Sequence, residues 1–194
     1  MKKLLFILAT IAFFVSCNKD DQAPQPEPQI AEIDKLPPAT QTGANKIGCL
    51  VNGKAFLPKG QLTGSSNPYC AYYHDAFVLI IRIVKNEGNI TGNGTESVAI
   101  YSSDIILEEN MTYSLKEIQS RKNAVFAITG GMAGVPDESY ETNEDYKGEL
   151  HITKLDKEKN IISGTFWFDA VNEQSEKVEI REGRFDMKFE GWAG

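Results

Sequence analysis

The chain has 194 residues, 27 of them Asp or Glu against 20 Lys and Arg, for a formal net charge of −7. That surplus of acid argues against nucleic acid, whose binding rewards basic patches, and against direct docking on anionic headgroups. With three cysteines and two histidines, the material for metal or nucleophilic chemistry is thin.

In chain order, Lys2 and Lys3 come first, then an apolar run from Leu4 to Val15 broken only by Thr10, then Ser16 and Cys17. A short positive start, an apolar stretch and a small residue are the marks of a cleaved secretory signal. The run is too short to span a bilayer, which takes roughly 20 apolar residues. A cysteine at the cut makes residues 1–16 resemble a bacterial lipoprotein signal. The resemblance implies a Cys17 that is lipidated on its thiol and acylated, as with palmitate, on its new amine. One acyl chain holds a protein marginally, whereas each buried methylene adds about 0.8 kcal/mol, so two or three chains hold it firmly. A plain cleaved signal peptide is the alternative. Asn18-Lys19-Asp20-Asp21 resembles the charged cluster with which Bacteroidetes lipoproteins are commonly exported to the outer face of the outer membrane. The alternatives are a solvated linker start and a place on the periplasmic face.

Loss of sixteen residues leaves 178, and loss of Lys2 and Lys3 takes the net charge to −9. Residues 17–44 read as the lipidated cysteine and a tether, holding Pro24, Pro26, Pro28, Pro37 and Pro38, five of the eight prolines. Such a segment buries too little to fold alone and extends by about 3.1 Å per residue. Residues 45–194 have the length of a single domain with one core.

Within that domain period-two alternation dominates. Leu150 and Ile152 alternate with Glu149, His151 and Thr153, and Phe166, Phe168 and Ala170 with Thr165, Trp167 and Asp169. Val178 and Ile180 repeat the pattern, as do Phe185, Met187 and Phe189, and Ala124, Phe126 and Ile128. These are half-buried antiparallel strands. Ala76 to Val84 is apolar on both faces except at Arg82 and reads as a central strand. Asn86 to Asn89, Asp156 to Asn160 and Asn172 to Glu176 are polar breaks suited to hairpins. Only Ser114 to Lys122 has helical composition. The expected fold is all-β, an antiparallel β-sandwich or else an open meander β-barrel, with at most one short helix.

Gly48 to Ala55 nearly spells a phosphate-binding loop, but Ala55 stands where the magnesium-holding hydroxyl belongs and Phe56-Leu57-Pro58 precludes the helix that would cradle the phosphate. A hairpin with an Asn52-Gly53 turn fits better. Leu36-Pro37-Pro38-Ala39-Thr40-Gln41-Thr42-Gly43, followed by Gly48-Cys49-Leu50-Val51-Asn52-Gly53-Lys54, resembles the opening of a family of uncharacterised Bacteroidetes lipoproteins. Ile162-Ser163-Gly164-Thr165-Phe166-Trp167-Phe168 and Glu182-Gly183-Arg184-Phe185-Asp186 resemble that family's closing hairpins. The resemblance brings no activity. It implies the same address and fold, and a Leu-Pro-Pro segment that packs along the domain.

With Cys17 lipidated, Cys49 and Cys70 remain, and in an oxidising compartment two cysteines most simply pair. The bridge would close a loop of about 22 residues, worth on the order of 3 kcal/mol. Two buried thiols, or a metal site with His74, are the alternatives. The loop from Ser65 to Asp75 holds Tyr69, Tyr72, Tyr73 and His74. Tyrosines offer flat amphipathic surfaces for a sugar ring or a protein partner, and Trp167 on an outer strand face extends that candidate platform. The five acids of Gly134 to Lys147 do not have EF-hand spacing and read as a solvated loop. No Gly-x-Ser-x-Gly elbow is present, and no catalytic residue, metal or cofactor is assigned. The sequence therefore points to a non-enzymatic, surface-tethered module of the outer membrane with an envelope protein or glycan as partner. A glycan hydrolase using paired carboxylates is the alternative.

Overall fold

A computed structural model describes residues 30–60, 66–74, 76–84, 95–116, 122–129 and 137–192. The expected signal segment at 1–16, Cys17, the Lys19-Asp20-Asp21 cluster, the expected hairpin at 86–89, Ser65 and Asp75 lie outside the described residues. So do 117–121 of the helical-composition segment and 134–136 of the acidic loop.

Among the described residues, twelve strands follow one 3-10 turn at Glu32–Lys35. They are β1 (Lys46–Val51), β2 (Lys54–Phe56), β3 (Tyr69–Tyr73), β4 (Ala76–Val84), β5 (Thr95–Ser102) and β6 (Thr112–Leu115), then β7 (Lys122–Thr129), β8 (Glu138–Glu141), β9 (Gly148–Asp156), β10 (Ile161–Val171), β11 (Lys177–Lys188) and β12 (Glu190–Trp192). The chain is all-β, as its alternation predicts. The strands form one sheet in the order β12-β3-β4-β5-β7-β8-β10-β11-β1-β2, with β9 sharing the flank of β10 that β8 also meets, opposite β11, and β6 beyond β9. The sheet curls into an open half-barrel, the second of the two architectures expected. Among the described residues every pairing is antiparallel except that of β12 with β3.

The predicted turns take their places. Asn52 and Gly53 both have positive φ, 48° and 79°, as the tight β1–β2 hairpin requires. The β9–β10 and β10–β11 hairpins turn at 157–160 and 172–176. Ala76–Val84 is central, paired to β3 on one side and β5 on the other. The helical composition around Ser114 yields to the sheet, since Ser114 and Leu115 pair with Glu149 and Gly148.

The core shows why the sheet curls. Strands β4 and β11 stand far apart in sheet order, yet Phe77 meets Phe185 with ring centroids 6.3 Å apart. Phe56 of β2 meets Phe126 of β7 at 6.2 Å. Each apolar face would otherwise lie open to water, and burying a large apolar side chain is worth about 1.5–3 kcal/mol. Curling lets the two halves of one sheet bury each other, with Ile81, Leu150, Ile162, Phe168 and Ile180 wholly enclosed.

The end of the proline-rich segment lies on this half-barrel. Leu36 is buried. Gly48 of β1 makes room for it, because a Cβ there would stand 3.0 Å from Pro37 and 3.3 Å from Leu36. Glu32 accepts a 2.8 Å hydrogen bond from the backbone N–H of Ala55, which covers part of the edge strand β2.

Candidate functional site

The outward face of β9, β10 and β11 carries a groove of about 580 Å³. Its side chains arrive in two rows. In the first, His151 pairs across the sheet with Thr165, and Thr165 with Arg184. In the second, Glu149 pairs with Trp167, and beyond Trp167 the β11 strand bulges. Phe166 faces Gly183 and Phe168 faces Ile180, so Arg181 and Glu182 together oppose Trp167 alone. Glu182 takes φ of +53° to accommodate the extra residue. A bulge of this kind re-aims side chains. Here it sends both Arg181 and Arg184 outward, although they are three residues apart in one strand.

Trp167 is held on two sides. Its indole Nε1 donates to Glu149 Oε2 at 3.2 Å, and the Arg181 guanidinium lies 5.6 Å from the ring centroid, within cation–π reach. Arg181 is fixed in turn, donating to Asp169 Oδ1 at 2.6 Å and to the carbonyls of Phe168 and Ile180. Arg184 is less engaged, with Glu182 Oε2 at 3.6 Å. His151 Nδ1 lies 3.0 Å from Thr112 Oγ1.

One wall of the groove is Ala39, which belongs to a strap held down by a single buried carboxylate. Asp186 is 1% exposed. Its Oδ2 accepts from the Thr40 and Thr42 hydroxyls and from the amides of Thr42 and Ala44, at 2.6–3.2 Å. Its Oδ1 accepts from the Gly43 amide at 2.7 Å and the Ser163 hydroxyl at 2.8 Å. Burial alone would push this carboxyl up, but the donors outweigh it and hold it well below the usual carboxylate range. Thus the Thr40–Ala44 strap and the Arg184-Phe185-Asp186 end of β11 are physically one clasp. Gly43 is required there, since its φ is +72° and a Cβ would stand 2.9 Å from Ile161.

The residues singled out from the sequence are dispersed. In β3 Tyr72 alternates inward with Cys70. It is 4% exposed, its hydroxyl oxygen accepts from the Leu107 amide at 2.9 Å, and its ring meets Phe189 edge-on. Tyr72 is thus a core residue and not a contact surface. Tyr73 is 44% exposed, His74 is exposed and Tyr69 is half-buried. Trp167 does not extend that cluster, because β4, β5, β7 and β8 separate β3 from β10. Of the acidic segment, Glu144 pairs with Lys116, and Glu138 accepts from the Tyr140 hydroxyl. Among the described residues no group of three or more His, Cys, Asp or Glu side chains is placed to hold a metal ion.

Cys49 and Cys70 are buried free thiols, the alternative weighed against a disulfide. At 0% and 3% exposure, burial pushes both thiols up, which leaves little reactive thiolate. Both should therefore resist alkylation in the folded protein and label fully once it is unfolded without reductant. A mass two hydrogens lower, with no label after unfolding, would mean that they pair.

The fold and groove define an all-β half-barrel domain with a ligand-sized cleft on its outer sheet face. The model of a family described as a domain of unknown function (DUF6252) matches residues 79–187, 109 of the 194, and the chain belongs to that family. The matched stretch runs from β4 to the end of β11 and contains all of the groove except Ala39. No curated protein matches the chain, and no solved structure does.

Proposed function

We propose that this chain is a lipid-anchored protein of the outer membrane, exposed at the cell surface, and that it acts as a non-enzymatic binding module. The observation that carries the binding reading is the outward groove, with Trp167 held between Glu149 and Arg181. Its volume lies within the range of about 300–1,000 Å³ usual for ligand sites. The address rests on Lys2-Lys3, the apolar run and Cys17, and on the resemblance of both motif regions to Bacteroidetes lipoproteins. The strap that bounds the groove through Ala39 is the end of the proposed tether, so the tether joins the domain beside the groove.

A test of the address compares wild type with Cys17→Ala in palmitate labelling, membrane fractionation and protease treatment of intact cells. Wild type should take up label, fractionate with the outer membrane and be cleaved from outside, and Cys17→Ala should lose the label and the membrane. A Cys17→Ala form that stays membrane-bound would overturn the anchor. Full protection from protease would place the protein on the periplasmic face.

A second reading, glycan hydrolysis, is favoured by one observation, that Glu149 and Glu182 line the same groove. Paired carboxylates are what such cleavage needs. New reducing ends released from a polysaccharide, and lost in both Glu149→Gln and Glu182→Gln, would replace the binding reading with this one.

A further inference from the structure

We infer that the ligand of the groove is a neutral sugar chain, an inference that rests on the reading of the groove as a binding site. The charges of the lining point this way. Two guanidinium groups, Arg181 and Arg184, stand against two carboxylates, Glu149 and Glu182, and each of the four has a partner inside the groove or at its rim. An anionic ligand would need surplus donors and would meet repulsion from both glutamates. A cationic ligand would meet it from both arginines. A ligand whose groups both donate and accept, and which carries no net charge, fits such a lining without leaving either sign unmatched. Sugar hydroxyls have that property.

The aromatic residue makes the choice narrower. Trp167 is pinned at Nε1 by Glu149 and on a face by Arg181, so its orientation is set before any ligand arrives. A fixed indole beside planar polar side chains offers an apolar surface for the C–H face of a pyranose ring and hydrogen-bonding groups for its rim. The adjacent row supplies more of the latter. His151, Thr165 and Arg184 stand on three successive strands, which spreads them over about 10 Å at the usual strand spacing. That length suits successive sugars of a chain better than one small molecule. The groove is open at the surface and bounded by Ala39 of the strap, so a polymer can lie in it without threading an end.

The test presents the mature full chain to neutral oligosaccharides of glucose, mannose, galactose and xylose, with oligogalacturonate and heparin fragments as charged comparisons. Binding of at least one neutral series is expected, weakened about tenfold or more in Trp167→Ala and less in Trp167→Phe, with circular dichroism unchanged. Binding of the charged fragments alone would overturn the inference, and so would neutral binding unaffected by Trp167→Ala. Failure of every sugar at about 1 mM, while the groove still crosslinks to a protein, would overturn the sugar ligand and leave the binding module standing. Failure of both would remove the binding module as well.

Discussion

Asp186→Ala should lower the unfolding free energy of the domain by about 3–5 kcal/mol, the largest loss expected from any single polar residue here. The carboxylate gathers six donors, three of them backbone amides of the strap and three hydroxyls, from Thr40, Thr42 and Ser163. Removing it leaves those donors facing one another in a site closed to water. Asp186→Asn should also destabilise, since an amide places N–H groups where the strap's own donors already point. Thr40→Val, which deletes one hydroxyl, should cost about 1 kcal/mol. Urea unfolding of the three variants provides the ranking.

The same residue fixes a direction in pH. The folded Asp186 carboxyl sits below its unfolded value, which is about 3.9. Its contribution is therefore complete above that value and is lost as pH falls below about 4. Wild type should lose stability on acidification over that window, and Asp186→Asn should lose less. Equal acid sensitivity in the two would mean that the clasp does not carry its charge in the folded state.

Gly164→Ala should cost about 3 kcal/mol and disturb the groove as well. The new Cβ would stand 2.2 Å from the carbonyl oxygen of His151 and 2.8 Å from the Phe185 ring. The first of these is backbone, so relief requires β9 and β10 to part at the pair that positions His151. Gly53→Ala is the comparison. Nothing lies within 4 Å of its Cβ and only the φ of +79° is strained, so about 1 kcal/mol is expected. Thermal unfolding of the two variants separates crowding from backbone strain. A Gly164→Ala protein as stable as wild type would mean that the strands part at little cost.

Much of the fold was legible because the chain is patterned simply. Apolar residues two apart mark β9, β10 and β11, and the polar breaks after Asp156 and Val171 mark their hairpins. The groove was half legible. Alternation put His151, Thr165 and Trp167 outward, but Arg181 and Arg184 belong together only through the bulge. Its trace was present, since the inward residues change parity from Val178 and Ile180 to Phe185 and Met187. One strand can switch parity only by absorbing an extra residue. Alternation with Phe185 and Met187 turns Asp186 outward, yet it is buried because the strap covers that face, and no periodicity records a covering segment far away in sequence.

The aromatic cluster misled for a physical reason. Tyr69-Cys70-Ala71-Tyr72-Tyr73 is strongly strand-forming, so alternation sends Tyr72 inward with Cys70 and leaves Tyr73 outward. Read as a loop, the same residues suggest a shared surface. The cysteine pair shows a similar limit, because composition and compartment say nothing of the separation between two thiols on β1 and β3.

The most direct test of the binding account places a photoreactive diazirine residue at Thr165, in the groove, or at Tyr73, on β3, in the full chain on intact cells. Both positions are exposed, and strands β4, β5, β7 and β8 lie between theirs. The groove account expects a discrete adduct from Thr165, lost on adding Trp167→Ala, and none from Tyr73. An adduct from Tyr73 alone, or from neither position, would contradict it.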